Sequence, residues 1–195
     1  MKAQNRKSLF SCMAVSTCFG MIFLLASCNS GSDSARNASQ QKVEAPDVDI
    51  HTAVVTGNKD ALKQHIAAGS NLNEKDPFGG SSPLISAAVF GKTEEAKILI
   101  DAGADINFQN NDGSTALLSA AFFCRPEIVR MLLDAGADKN ITNKFGATPY
   151  QTVAGSFEES KNTYDMIGKV LEPMGLKLDY AYIEQTRPVI AEMLK

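Results

Sequence analysis

The sequence Gly-Ser-Ser-Pro-Leu at residues 80–84 recurs along the chain at a fixed distance. Its copies are Gly-Ser-Thr-Ala-Leu at 113–117 and Gly-Ala-Thr-Pro-Tyr at 146–150, so the period is 33 residues. A second motif keeps this period, because Ala-Gly-Ala-Asp-Ile-Asn at 102–107 returns as Ala-Gly-Ala-Asp-Lys-Asn at 135–140. A repeat of this length is typical of a solenoid, in which each unit buries its apolar face only against its neighbours.

The combined pattern resembles that of the ankyrin-repeat family. It contains a glycine turn, a short segment similar to Thr-Pro-Leu-His, a helix of small residues, a second helix rich in Leu and Val, and Gly-Ala-Asp-x-Asn, and it is most complete over residues 80–140. The resemblance implies an all-α fold, a solenoid of about four helix-turn-helix repeats with β-hairpin-like loops. It extends over residues 47–178, which divide into repeats at 47–77, 78–110, 111–143 and 144–178.

The fourth repeat departs from the period. Gly175 follows Gly136 by 39 residues, which indicates an insertion of about six residues within residues 157–163. Residues 179–195 repeat nothing, and they are expected to form a short helix that Pro188 interrupts and restarts. Because a solenoid needs its last apolar face covered, we expect this C-terminal segment to be a capping helix.

Three residues have structural roles that the repeat predicts. Gly103 and Gly136 lie where the second helix of a repeat must end in a left-handed conformation, which glycine adopts at low cost. His51 occupies the position of the family's histidine, and this favours a structural role over metal binding or base catalysis.

The N-terminus carries a separate signal. Lys2, Arg6 and Lys7 precede a mostly apolar run at residues 9–26, and the sequence at 25–28 is Leu-Ala-Ser-Cys. A basic head, a short apolar core and small residues are typical of a secretory signal peptide. The last four residues resemble the bacterial lipoprotein signal.

That resemblance implies a signal peptide at residues 1–27, cleavage before Cys28, and lipidation of Cys28 by diacylglycerol and an acyl chain such as palmitate. The alternative is an uncleaved transmembrane anchor, since an apolar run of about 18 residues is near the lower limit for crossing a bilayer. Residues 28–46 are rich in Ser, Asn, Gln and Ala and are expected to be a flexible linker. In the enterobacterial lipoproteins that this signal resembles, Asn rather than Asp after the cysteine favours transfer to the outer membrane, so the resemblance implies an outer-membrane location facing the periplasm for a chain with Asn29.

Charge and motifs argue against nucleic-acid binding and catalysis. Removal of residues 1–27 leaves 16 basic and 22 acidic residues, a net charge near −6, which disfavours a nucleic-acid partner. After lipidation of Cys28, Cys124 is the remaining thiol. The two histidines, His51 and His65, fall in the first repeat, away from Cys124, so no cysteine-histidine pair is expected. The sequence has no motif for phosphate binding, hydrolysis or metal binding, and we expect no enzyme, no cofactor and no metal.

Aromatic residues stand at the positions where ankyrin repeats commonly contact partners. The family uses the residues that follow the paired alanines of the first helix, in a concave groove, and those that precede the turn glycine, at the loop tips. Here these positions hold Val89, Phe90, Phe122, Phe123, Phe78, Asp112, Lys144 and Phe145. Exposed aromatic anchors dominate binding energies, so Phe90, Phe123 and Phe145 are the preferred hot spots, with Asp112 and Lys144 as a polar rim. The alternative is that the phenylalanines fill the core.

These observations predict a non-catalytic protein-protein interaction module, a monomer held at a lipid bilayer by its acyl anchor. Its protein partner cannot be read from the sequence. Two versions compete: a module that protects or inhibits one enzyme, as an immunity protein does, and a scaffold for an envelope protein. A different class is an envelope structural or stress protein that binds a small molecule or a cell-wall component.

Overall fold

The computed structural model describes residues 43–195, so the expected signal peptide, Cys28 and most of the linker lie outside the described residues. Within this range the chain forms nine α-helices and one short 3-10 helix, and it contains no strand. The helices are α1 (Ile50–Thr56), α2 (Lys59–Ala67), α3 (Pro83–Phe90), α4 (Thr93–Asp101), α5 (Ala116–Phe122), α6 (Pro126–Asp134), α7 (Pro149–Ala154), α8 (Phe157–Leu171), the 3-10 helix (Glu172–Met174) and α9 (Tyr180–Leu194).

The helices form two layers. The first helices of successive repeats, α1, α3, α5 and α7, stack side by side as an inner layer, and α2, α4 and α6 stack as an outer layer. The paired alanines at 87–88 and 120–121 are fully buried, which lets neighbouring inner helices approach closely. Leu99 and Leu132 fill the space between the layers and are 0 % exposed. The expected all-α solenoid is therefore confirmed.

Tight loops project from the inner layer between repeats. At the start of each loop an Asp or Asn side chain accepts backbone N–H groups of the same loop: Asp76, Asn110 and Asn143. The amide of Asn111 donates to the carbonyl of Gly79 at 3.0 Å, and the amide of Lys144 donates to the carbonyl of Asp112 at 2.8 Å. Each loop is thus fixed to the loop of the neighbouring repeat.

Left-handed residues end the helices where the sequence predicts them. Gly103 and Gly136 each have a φ of 84°, a region in which a β-carbon would be strained. Cys124 occupies the turn between α5 and α6 with a φ of 54°, close to the 64° of Gly91 in the preceding repeat. Among the described residues, Cys124 is the one residue other than glycine with positive φ.

The fourth repeat differs from the prediction. The main neighbours of α6 are α4, α5 and α9, and α9 also packs on α7. Helix α9 therefore takes the outer position of the fourth repeat, and its buried stripe covers the last apolar face with Ile183, Ile190 and Leu194. The expected insertion of about six residues within residues 157–163 is wrong, because α8 and its return to α9 form a complete inserted element between α7 and α9.

The expected interruption at Pro188 is also wrong, since α9 continues through this residue. Proline cannot donate to the carbonyl four residues earlier, which here belongs to Glu184. Both Pro188 and Glu184 are exposed, so water can satisfy that carbonyl and the helix continues at low cost.

Candidate binding surface

The loop tips expose two of the phenylalanines that the sequence singled out. Phe78 is 86 % exposed and Phe145 is 83 % exposed, and each is the residue at the turn of its loop. Asp112 and Lys144 are exposed on the loops at this edge, and Lys144 lines a shallow polar cleft with Gln109. The loops therefore present two large apolar side chains with charged residues beside them.

Helix α8 lies over the inner helices. Its residue Tyr164 stacks on Phe122 of α5, with ring centroids 4.4 Å apart. Seven residues later, Leu171 lines a cavity together with Val89 and Phe90 of α3. Seven residues span about 10 Å of helix, which is the distance between neighbouring packed helices. Helix α8 thus crosses the inner layer from α5 towards α3.

This helix overturns part of the predicted groove. Phe123, a preferred hot spot, is only 6 % exposed and meets Phe122 edge-on with centroids 5.1 Å apart. Phe122 is itself covered by Tyr164, so this pair is structural and not a free surface. The expectation that Phe123 faces outward is therefore wrong, because its side chain is buried and packs edge-on against Phe122. Val89 and Phe90 remain partly exposed.

A chain of hydrogen bonds holds α8 in place. The hydroxyl of Tyr164 donates to the carbonyl of Phe122 at 2.6 Å, and it accepts from Nη1 of Arg187 at 3.1 Å. Nη2 of Arg187 donates to the carbonyl of Gly155, also at 3.1 Å. Burial raises the pKa of Tyr164 to about 12, so its hydroxyl keeps its proton at neutral pH. These bonds fasten α8 to α5 and α9.

The space left between α8 and the first two repeats is a cavity of about 530 Å³. Its apolar walls come from four elements: α1, α3, the first loop and the end of α8 with its 3-10 helix. The residues that form these walls are Val55, Val89, Phe90, Pro77, Phe78, Leu171 and Met174. This volume lies within the range of 300 to 1,000 Å³ that is usual for ligand pockets.

Two carboxylates stand among the polar residues of the cavity. The hydroxyl and amide of Thr52 donate to Asp49, and these hydrogen bonds lower the pKa of Asp49. Partial burial raises the pKa of Asp76, but backbone amides of its loop, including those of Phe78 and Gly79, outweigh burial and lower the pKa overall. Both side chains are therefore anionic at neutral pH.

The histidines act as structural residues. Nε2 of His51 lies 3.1 Å from the carbonyl oxygen of Glu74, which ties α1 to the loop that follows α2. His65 is buried between the carbonyl of Val48 and the hydroxyl of Ser70, at 2.7 and 3.0 Å. The described residues hold no group of three or more side chains that could bind a metal ion.

Cys124 is a buried thiol. It is 0 % exposed, and its Sγ donates to the carbonyl of Ile183 at 3.6 Å. Burial raises the pKa of Cys124 from 9.0 to about 11, which outweighs the opposite effect of Arg187 and Arg125. A thiol that keeps its proton at neutral pH is a poor nucleophile.

Sequence reasoning missed the contribution of α8. Leu171 and Met174 form one wall of the cavity, yet neither belongs to a repeat motif. Ser156, which caps α8, and the apolar residues Phe157, Tyr164 and Leu171, spaced seven residues apart, are the signals that could have indicated an extra amphipathic helix. Within residues 43–195, no helix is both long enough and apolar enough to cross a membrane.

These features define an all-α solenoid with exposed loop tips, and comparison with known proteins identifies its repeats. Residues 50–143 match the family model described as ankyrin repeats (3 copies), which confirms the repeats in this part of the chain. The ankyrin repeat domain of Bcl-3, described as a unique member of the IkappaB protein family, superposes with a TM-score of 0.51 at 31 % identity. That match covers 53 % of this chain and 45 % of the other.

Curated relatives share short segments with this chain. DNA-binding protein RFXANK of Homo sapiens is 41 % identical over 56 residues, which is 29 % of this chain and 22 % of that protein. Protein phosphatase 1 regulatory subunit 12A of Mus musculus is 39 % identical over 64 residues, 33 % of this chain and 6 % of that protein. The chain thus spans less than a quarter of either relative. The repeats are those of a protein-protein interaction module.

Substitution of Tyr164 by Phe is expected to destabilise the protein. The change keeps the ring on Phe122 but leaves Nη1 of Arg187 and a backbone carbonyl without their partner, at a cost of about 1–3 kcal/mol. Urea unfolding measures this cost as a lower midpoint. Tyr182→Phe is the matched control, because Tyr182 is 42 % exposed and should unfold at the midpoint of the unchanged protein. Equal midpoints for all three proteins would show that the Tyr164 hydroxyl does not hold α8.

Cys124 is expected to react slowly with iodoacetamide at pH 8. A pKa raised from 9.0 to about 11 lowers the thiolate fraction about a hundredfold, and burial slows access further. Mass spectrometry of the peptide that contains Cys124 gives the rate in buffer and in urea. If the thiol reacts as fast in buffer as in urea, the folded protein does not protect Cys124, and a catalytic role for this thiol must be considered again.

The same pKa shift predicts how the free energy of unfolding depends on pH. The unfolded thiol loses its proton above pH 9.0, whereas the folded thiol keeps it to about pH 11, so stability decreases as pH rises across this interval. Cys124→Gly, which suits the positive φ, should show a weaker decrease in urea unfolding followed from pH 8 to pH 11.

Proposed function

We propose that this protein is a membrane-anchored, non-catalytic module that binds one protein partner in a bacterial envelope through its loop tips and the adjacent cavity. The observation that carries the proposal is the exposure of Phe78 and Phe145, at 86 % and 83 %. Large apolar side chains at loop tips are unfavourable in water, and aromatic anchors supply much of the energy of protein interfaces. Asp112 and Lys144 provide charges beside them that a partner can pair.

The anchor rests on the N-terminal sequence. Lys2, Arg6 and Lys7, the apolar run at 9–26 and the Leu-Ala-Ser-Cys motif support cleavage of a signal peptide and lipidation of Cys28. Two or more acyl chains hold a protein firmly at a bilayer, whereas a single chain binds only marginally. The linker that follows would let the repeats reach partners away from the membrane surface, facing the periplasm if the anchor lies in the outer membrane.

The preferred role for this protein is to regulate an enzyme that it binds. Protein phosphatase 1 regulatory subunit 12A is named as a subunit that regulates an enzyme, and its similarity to this chain favours a regulator over a passive scaffold. An immunity-like inhibitor would bind one partner tightly. The cavity of about 530 Å³ favours, as a second candidate, an envelope protein that binds a small molecule or a cell-wall component.

Cross-linking and capture from the envelope fraction tests partner binding. The variant carries both Phe78→Ala and Phe145→Ala. We expect it to capture at least about tenfold less partner, because truncation of an interface hot spot costs about 2 kcal/mol or more of binding free energy. Val189→Ala on α9 is the control, since it removes a side chain that is 54 % exposed but lies away from the loops. Equal capture by both variants would exclude the loop tips as the binding surface.

Metabolic labelling with radioactive palmitate tests the anchor. Cys28→Ser is expected to abolish labelling and to leave a larger, uncleaved chain on a denaturing gel, whereas Cys12→Ser should change neither labelling nor size. An unchanged protein that carries no label and keeps its N-terminal segment would instead support the uncleaved transmembrane anchor.

A further inference from the structure

Helix α8 converts an open surface into a cavity. The inner layer of the first two repeats contributes Val55, Val89 and Phe90, and these side chains alone would form a shallow groove. Leu171 at the end of α8 and Met174 in the 3-10 helix stand opposite and close that groove on one side. The resulting space depends on an element that the repeats themselves do not include.

The polar residues of the cavity carry negative charge. Asp49 caps α1 and Asp76 organises the first loop, and both carboxylates are anionic for the reasons given above. Among the described residues that line the cavity, none is Lys or Arg. The imidazole of His51 lies 3.1 Å from the carbonyl oxygen of Glu74, and its proximity to Asp49 is a minor cause of the lowered pKa of that carboxylate. The described lining of the cavity therefore combines apolar walls with two carboxylates and no Lys or Arg side chain.

Apolar surface continues outside the cavity. Phe78, which lines the cavity, is 86 % exposed, and Met174 is 46 % exposed. Methionine side chains adapt to irregular partners. An extended segment that enters the cavity can therefore also contact Phe78 and Met174 at its rim.

We propose that this cavity receives an apolar peptide segment of the protein partner that carries a lysine or an arginine. Charge complementarity selects this occupant. An uncharged apolar ligand would displace water from the two carboxylates without replacing its hydrogen bonds, and an anionic ligand would be repelled. A segment with one cationic side chain fills the apolar volume and pairs the carboxylates. The inference rests on the proposed protein-binding function and specifies the chemistry of the partner.

Fluorescence anisotropy with synthetic peptides tests the proposal on the purified full-length chain. The probe is a short fluorescein-labelled peptide of alternating Leu and Lys. Its comparison peptides contain Leu with Glu, which reverses the charge, and Ser with Lys, which removes the apolar side chains. We expect the Leu and Lys peptide to bind at least about tenfold more tightly than either comparison peptide.

Two variants locate the bound peptide. Met174→Trp adds bulk to one wall and is expected to weaken binding about tenfold. Asp49→Asn removes one charge and is expected to weaken binding about two- to fivefold, while Asn still caps α1 because it is as good a cap as Asp. Asp134→Asn, on the outer helix α6, is the matched control and should leave the affinity unchanged. Urea unfolding checks that all three variants keep the stability of the unchanged protein.

Each outcome decides the proposal. Equal affinity for the Leu and Glu peptide, or no effect of Met174→Trp in a folded protein, would overturn it. Concentration-dependent dimers that Met174→Trp abolishes would assign the cavity to a second copy of the chain and also overturn it. If capture from the envelope depends on Phe145 but the Leu and Lys peptide does not bind, the inference fails and the proposed function stands. If the peptide binds as expected but no envelope protein is captured, the cavity's chemistry holds and the proposed function fails.

Discussion

The close approach of the inner helices is the constraint on which the rest of this structure depends. Fully buried alanine pairs at 87–88 and 120–121 leave almost no space between α3 and α5 or their neighbours, so each helix can be covered only by the next one. Such a stack has an open apolar face at its end. Helix α9 closes this face by packing on α6 and α7, and its position follows from the same need that orders the repeats.

Once α9 takes the outer position of the fourth repeat, the residues between α7 and α9 are free of the repeat geometry. They form α8, which begins after the N-cap Ser156 and lies over the inner layer, where Tyr164 stacks on Phe122. Hydrogen bonds of the Tyr164 hydroxyl and the Arg187 guanidinium then hold α8 there. Their acceptors are backbone carbonyls and the Tyr164 hydroxyl, and none of these carries a charge. A fully buried hydroxyl with two partners is costly to disrupt, so α8 is a fixed part of the surface and not an appendage.

The sequence predicted the features that depend on residues close together in the chain. The 33-residue period predicted the helices from α1 to α7, the left-handed glycines at 103 and 136, and exposed aromatic residues at the loop tips. The covering of Phe122 could not be judged in this way, because it depends on Tyr164, which lies 42 residues further along the chain. Gly175 was misleading, since its φ of 91° ends a 3-10 helix of the inserted element and not a repeat.

The same inserted helix divides the inner layer into two regions with different roles. Over α5 the aromatic side chains are covered by α8 and contribute to stability, because Phe122 and Tyr164 are stacked and Phe123 is buried. Over α1 and α3 the equivalent positions, Val89 and Phe90, remain partly open and line the cavity. Repeats with the same sequence pattern therefore present unlike surfaces. Since a partner can bury only apolar surface that is exposed, binding should concentrate at the first two repeats and the loop tips, away from the covered part of α5.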